Sequence, residues 1–236
     1  MVDYLKQIAS ASGLELSDEP VKKFQIFYEH LIEVNKVMNL TAITDPKDVV
    51  LKHFIDSIYI LKYINFKAED RVIDVGTGAG FPGLPLAIMC PKVEFTLMDS
   101  LNKRIRFIRE VCDLCDLNNI TAIHGRAEEM GSDSIYREQY DYCVSRAVAN
   151  MSVLLEYCIP FVKKNGLFIS YKSTLAEDEL EQSAHAQKVL NCKVKEQIDF
   201  SIPDTDYNRC FISFEKINGL SKKYPRQNGV PRKNPL

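Results

Sequence analysis

Residues 74–83 of this 236-residue chain read DVGTGAGFPG and hold four of its ten glycines. A short β-type run, Arg71–Val75, precedes them, and a helical pattern begins near residue 84. Glycine admits positive φ angles and lets a ligand approach the backbone, while the start of a helix presents free N–H groups. The stretch therefore predicts a strand–loop–helix unit that holds a nucleoside-type ligand.

The position of the first turn decides which ligand suits this loop. The last three glycines fit the dinucleotide pattern G-x-G-x-x-G, but the strand ends at Val75, so the turn begins at Gly76. Asp74 then lies two residues before the first glycine, where a carboxylate would repel a pyrophosphate. S-adenosylmethionine (SAM) carries a sulfonium and an ammonium group, and it suits this position better. A P-loop is excluded, because no Gly-Lys-Ser/Thr follows.

A second carboxylate, Asp99, ends the next β-type run, Val93–Asp99. A carboxylate at this place can accept hydrogen bonds from both ribose hydroxyls. SAM and NAD share that ribose, so Asp99 supports a nucleoside cofactor without choosing between them.

The rest of the chain alternates β-type and helical patterns, which predicts an α/β fold with a mostly parallel sheet. Seven strands are predicted, at 71–75, 93–99, 120–124, 140–145, 166–172, 192–200 and 209–217. No helix fits between the last two, so we expect the last strand to be antiparallel. Helical patterns at 14–40 and 47–63 predict an N-terminal helical cap. The expected organisation is a cap at 1–65, an α/β domain with the SAM-binding glycine loop at 66–217 and a basic tail at 218–236.

Composition and charge narrow the class of protein. Hydrophobic residues make up 46% and charged residues 26%, which is typical of a globular chain and excludes a disordered one. Seven cysteines without a secretory signal favour free thiols and a cytoplasmic location. The longest charge-free run, 75–91, holds four glycines and three prolines, so no membrane segment is expected.

The C-terminal tail is basic although the whole chain has a net charge of −2. From Lys216 onward there are six basic residues and no acidic one. Prolines should keep this tail extended, and its guanidinium groups can form bidentate hydrogen bonds with phosphates. We expect RNA contacts from Arg226, Arg232 and Lys233 of the tail, with Arg209 and Lys172 as further contacts, and no effect of the tail on cofactor binding. For Lys172, ordinary solvation is an equal alternative.

Five segments together resemble a known family: NLTAITDPKDVVLKHFIDS (39–57), VIDVGTGAGFPGLPLA (72–87), HGRAEEM (124–130), YDYCVSRAVA (140–149) and YPRQNGVPRKNPL (224–236). They look like the bacterial small-subunit ribosomal RNA guanine-N7 methyltransferases, also called glucose-inhibited division protein B. The resemblance covers nearly the whole chain. It implies a class I SAM-dependent methyltransferase with a Rossmann-like fold, acting on 16S rRNA or the small ribosomal subunit, and we expect a monomer.

The resemblance also implies a SAM site. It is formed by Gly76, Phe81, Ala127, Glu128 and Arg146, with Asp99 on the ribose. The loop itself adds Asp74, Gly78 and Gly80.

Methyl transfer to guanine N7 requires no general base, since N7 carries a lone pair and no proton. The product ring gains positive charge, which a carboxylate would stabilise. Asp56, Asp74 and Arg146 are the candidate catalytic residues, and none is firmly assigned. His53 and Asp56 share a helix face, either as a packing pair or as the lining of the target-base side.

No metal site is expected, because Cys112 and Cys115 lack a second pair and the four histidines are scattered. Three alternatives remain open: an NAD-dependent oxidoreductase, a SAM-binding ribosome assembly factor without turnover, and another SAM-dependent methyltransferase that acts on a small molecule or a different RNA. The basic tail and the N-terminal helices favour RNA.

Overall fold

The computed structural model describes residues 1–146, 149–173 and 177–236, with side chains at all of these positions except 177 and 178. At its centre lies a seven-stranded sheet. The strands are β1 Arg71–Val75, β2 Glu94–Asp99, β3 Ile120–His124, β4 Tyr140–Arg146, β5 Val162–Lys172, β6 Cys192–Ser201 and β7 Asn208–Lys216. All seven predicted strands are confirmed, and only their ends move by a few residues.

The strands are ordered β3-β2-β1-β4-β5-β7-β6 across the sheet. Strands β1 to β5 pair in parallel, and β7 runs antiparallel between β5 and β6. This confirms the predicted mostly parallel sheet with an antiparallel last strand. The chain moves outward from β1 to β3 and returns to the other side of β1 as β4. Such a reversal opens a crevice at the carboxyl ends of the strands, where ligands of α/β proteins bind.

Helices flank the sheet on both faces. They are α1 Val2–Ala11, α2 Asp18–Met38, α3 Pro46–Val49, α4 Asp56–Ile58, α5 Gly83–Met89, α6 Asn102–Leu114, α7 Ala127–Met130, α8 Met151–Cys158, α9 Glu177–Gln182, α10 Ala184–Val189 and α11 Val230–Lys233. A π-helical turn, Val50–Ile55, joins α3 to α4, and 3₁₀ turns occupy Tyr59–Lys62 and Ile159–Phe161. The helix predicted at 47–63 is therefore one continuous helical stretch of mixed geometry.

The N-terminal helical region differs in one respect from the prediction of a single helix from residue 14. A separate helix, α1, precedes it, and the chain then turns at Gly13 with a φ of +71°. With only ten residues, α1 is too short for its apolar spacing to stand out from the sequence around it. Helix α2 begins after Ser17 with Pro20 in its first turn, a position that tolerates proline.

Aromatic packing joins the N-terminal helices to the sheet. The ring of Phe27 in α2 lies 5.5 Å from that of Phe54 in the π turn and 5.2 Å from that of Phe81 in the glycine-rich loop. All three belong to one buried core, together with side chains of α5 and α6. The cap and the sheet thus share a core, and the boundary predicted at residue 65 stays a prediction.

The C-terminal tail, residues 218–236, folds back onto the opposite face of the sheet. The Arg137 guanidinium donates hydrogen bonds to the carbonyls of Leu220, Ser221 and Tyr224 at 2.7–3.1 Å. Leu220 and Tyr224 are buried in a second core that includes residues of α8 and α10. The expectation of an extended tail is therefore wrong. The partners that dock the tail lie far away in the sequence, so local patterns do not reveal them.

Gly83 opens α5 at a place with no room for a side chain. A Cβ atom there would lie 2.7 Å from Leu97 Cγ and 2.8 Å from Asp74 Oδ2. We expect Gly83→Ala to lower the free energy of unfolding by about 2 kcal/mol, because the added methyl group overpacks the core. Gly219→Ala is the control, since its Cβ would meet only Glu138 Oε1 at 3.9 Å. Urea unfolding curves that coincide for the two variants would contradict this view of the loop.

Candidate active site

The glycine loop, residues 76–83, is held from below by Asp74. Three of its glycines have φ angles between +63° and +94°, the region that favours glycine. Asp74 Oδ2 accepts hydrogen bonds from Thr77 Oγ1 at 2.6 Å and from the backbone N–H of Gly83 at 2.8 Å. Both contacts go to the loop, so this carboxylate fixes the loop in place. A direct contact between Asp74 and the cofactor stays a prediction.

Asp74 is fully buried, and its Oδ1 has no hydrogen-bond partner within the part of the chain that the structure describes. Burial raises the pKa of Asp74 to about 7, against the opposing effect of its two hydrogen bonds. A substantial fraction of the folded protein therefore carries a neutral Asp74 at physiological pH.

A cavity of about 390 Å³ lies above this loop, at the carboxyl ends of β1 to β4. We term it the glycine-loop cavity. Five of the predicted cofactor residues line it, namely Gly76, Asp99, Ala127, Glu128 and Arg146. The other four, Asp74, Gly78, Gly80 and Phe81, form part of the loop or lie beneath it.

Asp99 connects the cavity to the glycine loop. Its Oδ2 accepts from the backbone N–H of Gly78 at 3.0 Å and from Arg104 Nη1 at 3.1 Å, and its Oδ1 accepts from the N–H of Leu101 at 2.9 Å. A carboxylate offers roughly four lone-pair positions, so these three bonds leave room for a ligand hydroxyl. The geometry fits the ribose role expected from the sequence.

The glycine-loop cavity also contains residues that the sequence did not assign to a cofactor. They are Val75, Met98, Ser100, Arg104, Gly125, Arg126, Tyr157 and Arg232. Several of them directly follow β2 or β3, and the rule that ligands bind at strand ends would have found these. Tyr157 comes from α8 and Arg232 from the tail, so only the tertiary structure places them here.

A second cavity, of about 340 Å³, shares Arg146 with the first, and we term it the His53 cavity. Its lining holds four basic groups, three phenyl or phenol rings and one carboxylate. The lining residues are Ile43, Lys52, His53, Asp56, Arg146, Tyr171, Lys172, Ser173, Tyr207, Arg209 and Phe211. Arg146 therefore belongs to both cavities. Glycines and two carboxylates mark the first, three phenyl or phenol rings mark the second, and both contain cations.

Asp56 fixes the position of Arg146. Its Oδ2 accepts from Arg146 Nη1 at 2.8 Å, and its Oδ1 accepts from Arg209 Nε at 2.8 Å. Asp56 is only 1% exposed, so both ion pairs lie in a poorly solvated place. The π-helical turn that precedes it also presents the carbonyl of Lys52 to Arg146 Nη1 at 3.0 Å. Such turns are frequent at functional sites.

His53 is held neutral beside this ion pair. Burial, reinforced by the charge of Arg146, lowers the pKa of His53 to about 3. Its ring stacks on Phe81 with centroids 4.4 Å apart, and its Nδ1 lies 3.3 Å from Arg146 Nη2. The same Nδ1 lies 3.1 Å from the Lys52 carbonyl, and Nε2 lies 2.9 Å from Thr41 Oγ1. The tautomer decides whether Nδ1 donates to Lys52 or accepts from Arg146.

The five predicted RNA contacts fall in different places. Lys172 and Arg209 line the His53 cavity, and Lys172 also pairs with Glu179 at 2.7 Å. Arg226 forms an ion pair with the buried Glu156 at 2.6 Å. Arg232 lines the glycine-loop cavity, and Lys233 is exposed.

The described residues contain no group of three or more His, Cys, Asp or Glu side chains arranged to hold a metal. All seven cysteines are free thiols. None of the helices within the described ranges combines the length and the apolar character needed to cross a membrane.

Comparison with known proteins identifies the family. Residues 20–229 match the sequence model of the GidB family, described as rRNA small subunit methyltransferase G. The chain belongs to this family. It is 48% identical to the ribosomal RNA small subunit methyltransferase G of Lachnoclostridium phytofermentans, over 95% of this chain and 93% of that protein. It is also 48% identical to the protein of the same name from Acetivibrio thermocellus, over 97% of this chain and 93% of the relative.

Solved structures agree with this membership of the GidB family at the level of the fold. A putative methyltransferase in complex with the Haloferax volcanii Trm112 activator superposes with a TM-score of 0.60, covering 80% of this chain and 98% of that one at 13% identity. The TYW2 protein of M. jannaschii, solved with AdoMet, superposes with a TM-score of 0.53, covering 70% and 76% at 17% identity. The chain is thus a SAM-dependent methyltransferase of the GidB family with the class I fold.

The raised pKa of Asp74 predicts how stability depends on pH. The folded protein retains a proton that the unfolded chain, with the ordinary pKa of 3.8, has already released. The folded state therefore loses stability relative to the unfolded chain as the pH rises from 3.8 to about 7, and the loss is complete above that range. We expect the unfolding free energy of the wild type, minus that of Asp74→Asn, to fall by about 2–3 kcal/mol between pH 5 and pH 8. Urea unfolding at several pH values measures it, and a difference that is constant or rises with pH would show an ionised Asp74.

Proposed function

We propose that this chain transfers a methyl group from SAM to N7 of one guanine in 16S ribosomal RNA. The observation that carries the proposal is the position of Arg146, which lines both cavities at once. A methyl donor in one cavity and an acceptor base in the other would meet at this side chain. The sequence relatives named above support ribosomal RNA of the small subunit as the substrate.

The glycine-loop cavity fits SAM. Asp99 is placed for the ribose hydroxyls, and the loop lets the cofactor approach the backbone closely. Gly76, Ala127, Glu128 and Arg146 would complete the cofactor contacts, with Gly78, Gly80, Phe81 and Asp74 shaping the loop from within. When bound, SAM supplies the electrophilic methyl group. The residues of the chain orient this methyl group toward the acceptor.

The His53 cavity fits a nucleotide turned out of an RNA strand. Tyr207 offers a partly exposed ring on which a base can stack, and the buried rings of Tyr171 and Phe211 add to the apolar lining. Stacking on aromatic side chains is common in RNA recognition. Lys172 and Arg209 add cations beside these rings, and they would hold the flanking phosphates. We include Lys233, which is exposed at the tail, among the RNA contacts.

Chemistry at N7 requires alignment more than proton transfer, because the attacking nitrogen carries no proton. The neutral His53 agrees with this, since no charged acid or base is needed beside the target ring. Asp56 places Arg146 at the boundary of the two cavities and offsets part of the positive charge there. We assign to these residues the positioning of the reacting atoms, which lowers the barrier by orientation.

The proposal includes a setting for the reaction. We infer that the enzyme acts as a monomer in the cytoplasm on 16S rRNA or on the small ribosomal subunit. The helical cap at 1–65 supplies His53 and Asp56, the domain at 66–217 supplies the glycine loop, and the tail at 218–236 packs beside the cofactor.

Methyl transfer is tested directly with radiolabelled SAM. Small ribosomal subunits, deproteinised 16S rRNA and tRNA, all from a strain lacking the modification, are compared as acceptors, and the products are resolved as nucleosides. We expect label in 7-methylguanosine from 16S rRNA or from the subunit. Bound SAM without label in any RNA would instead indicate an assembly factor, and label in tRNA alone would assign a different substrate.

The assignment of the two cavities predicts separable effects. We expect Lys172→Ala to weaken RNA binding several-fold and to reduce the slope of log affinity against log salt by about one, with unchanged SAM affinity. Asp99→Asn should do the reverse, weakening SAM binding while sparing RNA binding. Filter binding of RNA and calorimetry of SAM measure both. An equal loss of both affinities in either variant would contradict two distinct cavities.

A further inference from the structure

The docking of the tail brings it to the cofactor side of the molecule. The buried carboxylate of Glu156 in α8 holds the Arg226 side chain and also accepts from the Arg226 backbone N–H at 2.8 Å. Three residues later, the N–H of Gly229 donates to Glu128 Oε1 at 3.0 Å. Pro231 is then buried. These contacts fix the chain on both sides of residue 230.

Arg232 follows directly from these anchors and lines the glycine-loop cavity with Tyr157 and Glu128. Within the described residues, its guanidinium makes no hydrogen bond or ion pair. Arg104 and Arg146 of the same lining are held by carboxylates, at 3.1 and 2.8 Å respectively. Arg126, which is exposed like Arg232, also has no such partner among the described residues. Arg232 thus brings five unused N–H donors to the cavity on a backbone that is held in place.

Glu128 links the tail to the cavity in a second way. Its side chain is 8% exposed, and its Oε1 is bonded to the tail N–H of Gly229. The carboxylate that the sequence assigned to the cofactor therefore also holds the tail. We therefore expect substitutions in the tail to change the affinity for the cofactor through Glu128 as well as through Arg232.

We propose that the C-terminal tail is a wall of the SAM site and that Arg232 donates hydrogen bonds to the bound cofactor. The inference rests on the proposed function only for the identity of the molecule in the glycine-loop cavity. It replaces the expectation that the tail has no effect on cofactor binding. The tail and the cofactor stabilise one another, since each contributes to the surface on which the other lies.

The charge of the cofactor separates direct contact from a long-range effect. SAM carries a net positive charge, while its product S-adenosylhomocysteine carries none. Removing a distant cation would strengthen SAM binding slightly and leave the product unaffected. Removing a group that donates to the cofactor weakens the binding of both. Whether the affinity for SAM and its product rises or falls therefore distinguishes a direct contact from a long-range charge effect.

The experiment compares Arg232→Ala with Lys233→Ala, which removes the same charge one residue away. Dissociation constants for SAM and S-adenosylhomocysteine are measured by calorimetry on the full chain at one salt concentration, with melting temperatures as a check of folding. We expect Arg232→Ala to weaken both ligands about tenfold, the loss typical of a hydrogen bond to a charged group. Lys233→Ala should leave both constants unchanged. Arg232→Lys should recover only part of the loss, because an ammonium lacks the planar fork.

The outcomes distinguish the inference from the function on which it rests. A wild type that does not bind SAM, or an Asp99→Asn variant with full affinity, would overturn the assignment of the cavity itself. If Asp99→Asn loses affinity while folded Arg232→Ala keeps it, or binds SAM more tightly, only the role of Arg232 is overturned. Equal losses in Arg232→Ala and Lys233→Ala would also overturn it, because the effect would then follow charge and not contact.

Discussion

The ion pair between Asp56 and Arg146 is the interaction on which the two-cavity arrangement depends. Arg146 ends β4, while Asp56 belongs to the helical stretch that packs above the sheet. Without the carboxylate, the contacts left to the guanidinium among the described residues are the Lys52 carbonyl, the His53 ring and the face of Phe81. The N-terminal helices are therefore more than a cover for the sheet. They hold the side chain that lines both the cofactor cavity and the cavity of the proposed target base.

Two further carboxylates control the other side of the site. Asp74 closes the glycine loop from below, and Asp99 holds the same loop through the N–H of Gly78. The loop is thus pinned between neighbouring strands, β1 and β2. This explains how a segment with many glycines, which gains flexibility from them, can still present a fixed surface to a ligand.

Much of the fold could be predicted from the sequence, because its signals are local. Buried parallel strands such as Arg71–Val75 are short apolar runs, and the glycines that follow mark the turn. Ligands of α/β proteins bind at the carboxyl ends of the strands. Gly76 and Asp99 lie at such ends, so the sequence could place both beside the cavity. Helix α1 escaped prediction because its apolar pattern spans only ten residues.

The rest of the site depends on contacts between distant residues. Arg226 looked like a phosphate ligand, yet its partner Glu156 lies 70 residues away in the chain. Arg209 meets Asp56 across 153 residues. A basic residue in a sequence carries no sign of the acid that will pair with it. The sequence therefore predicted that the tail extends freely and binds RNA. In the structure, the tail packs against the α/β domain beside the glycine-loop cavity.

The central claim is that cofactor and target base lie on the two sides of Arg146. A crystal structure of the protein with S-adenosylhomocysteine and a short RNA that contains the target guanine tests it most directly. The account predicts the nucleoside of the cofactor product beside Asp99 and the guanine in the His53 cavity, with N7 facing the sulfur directly and Arg146 beside the line that joins them. A guanine bound outside the His53 cavity, or a cofactor product away from Asp99, would contradict the account.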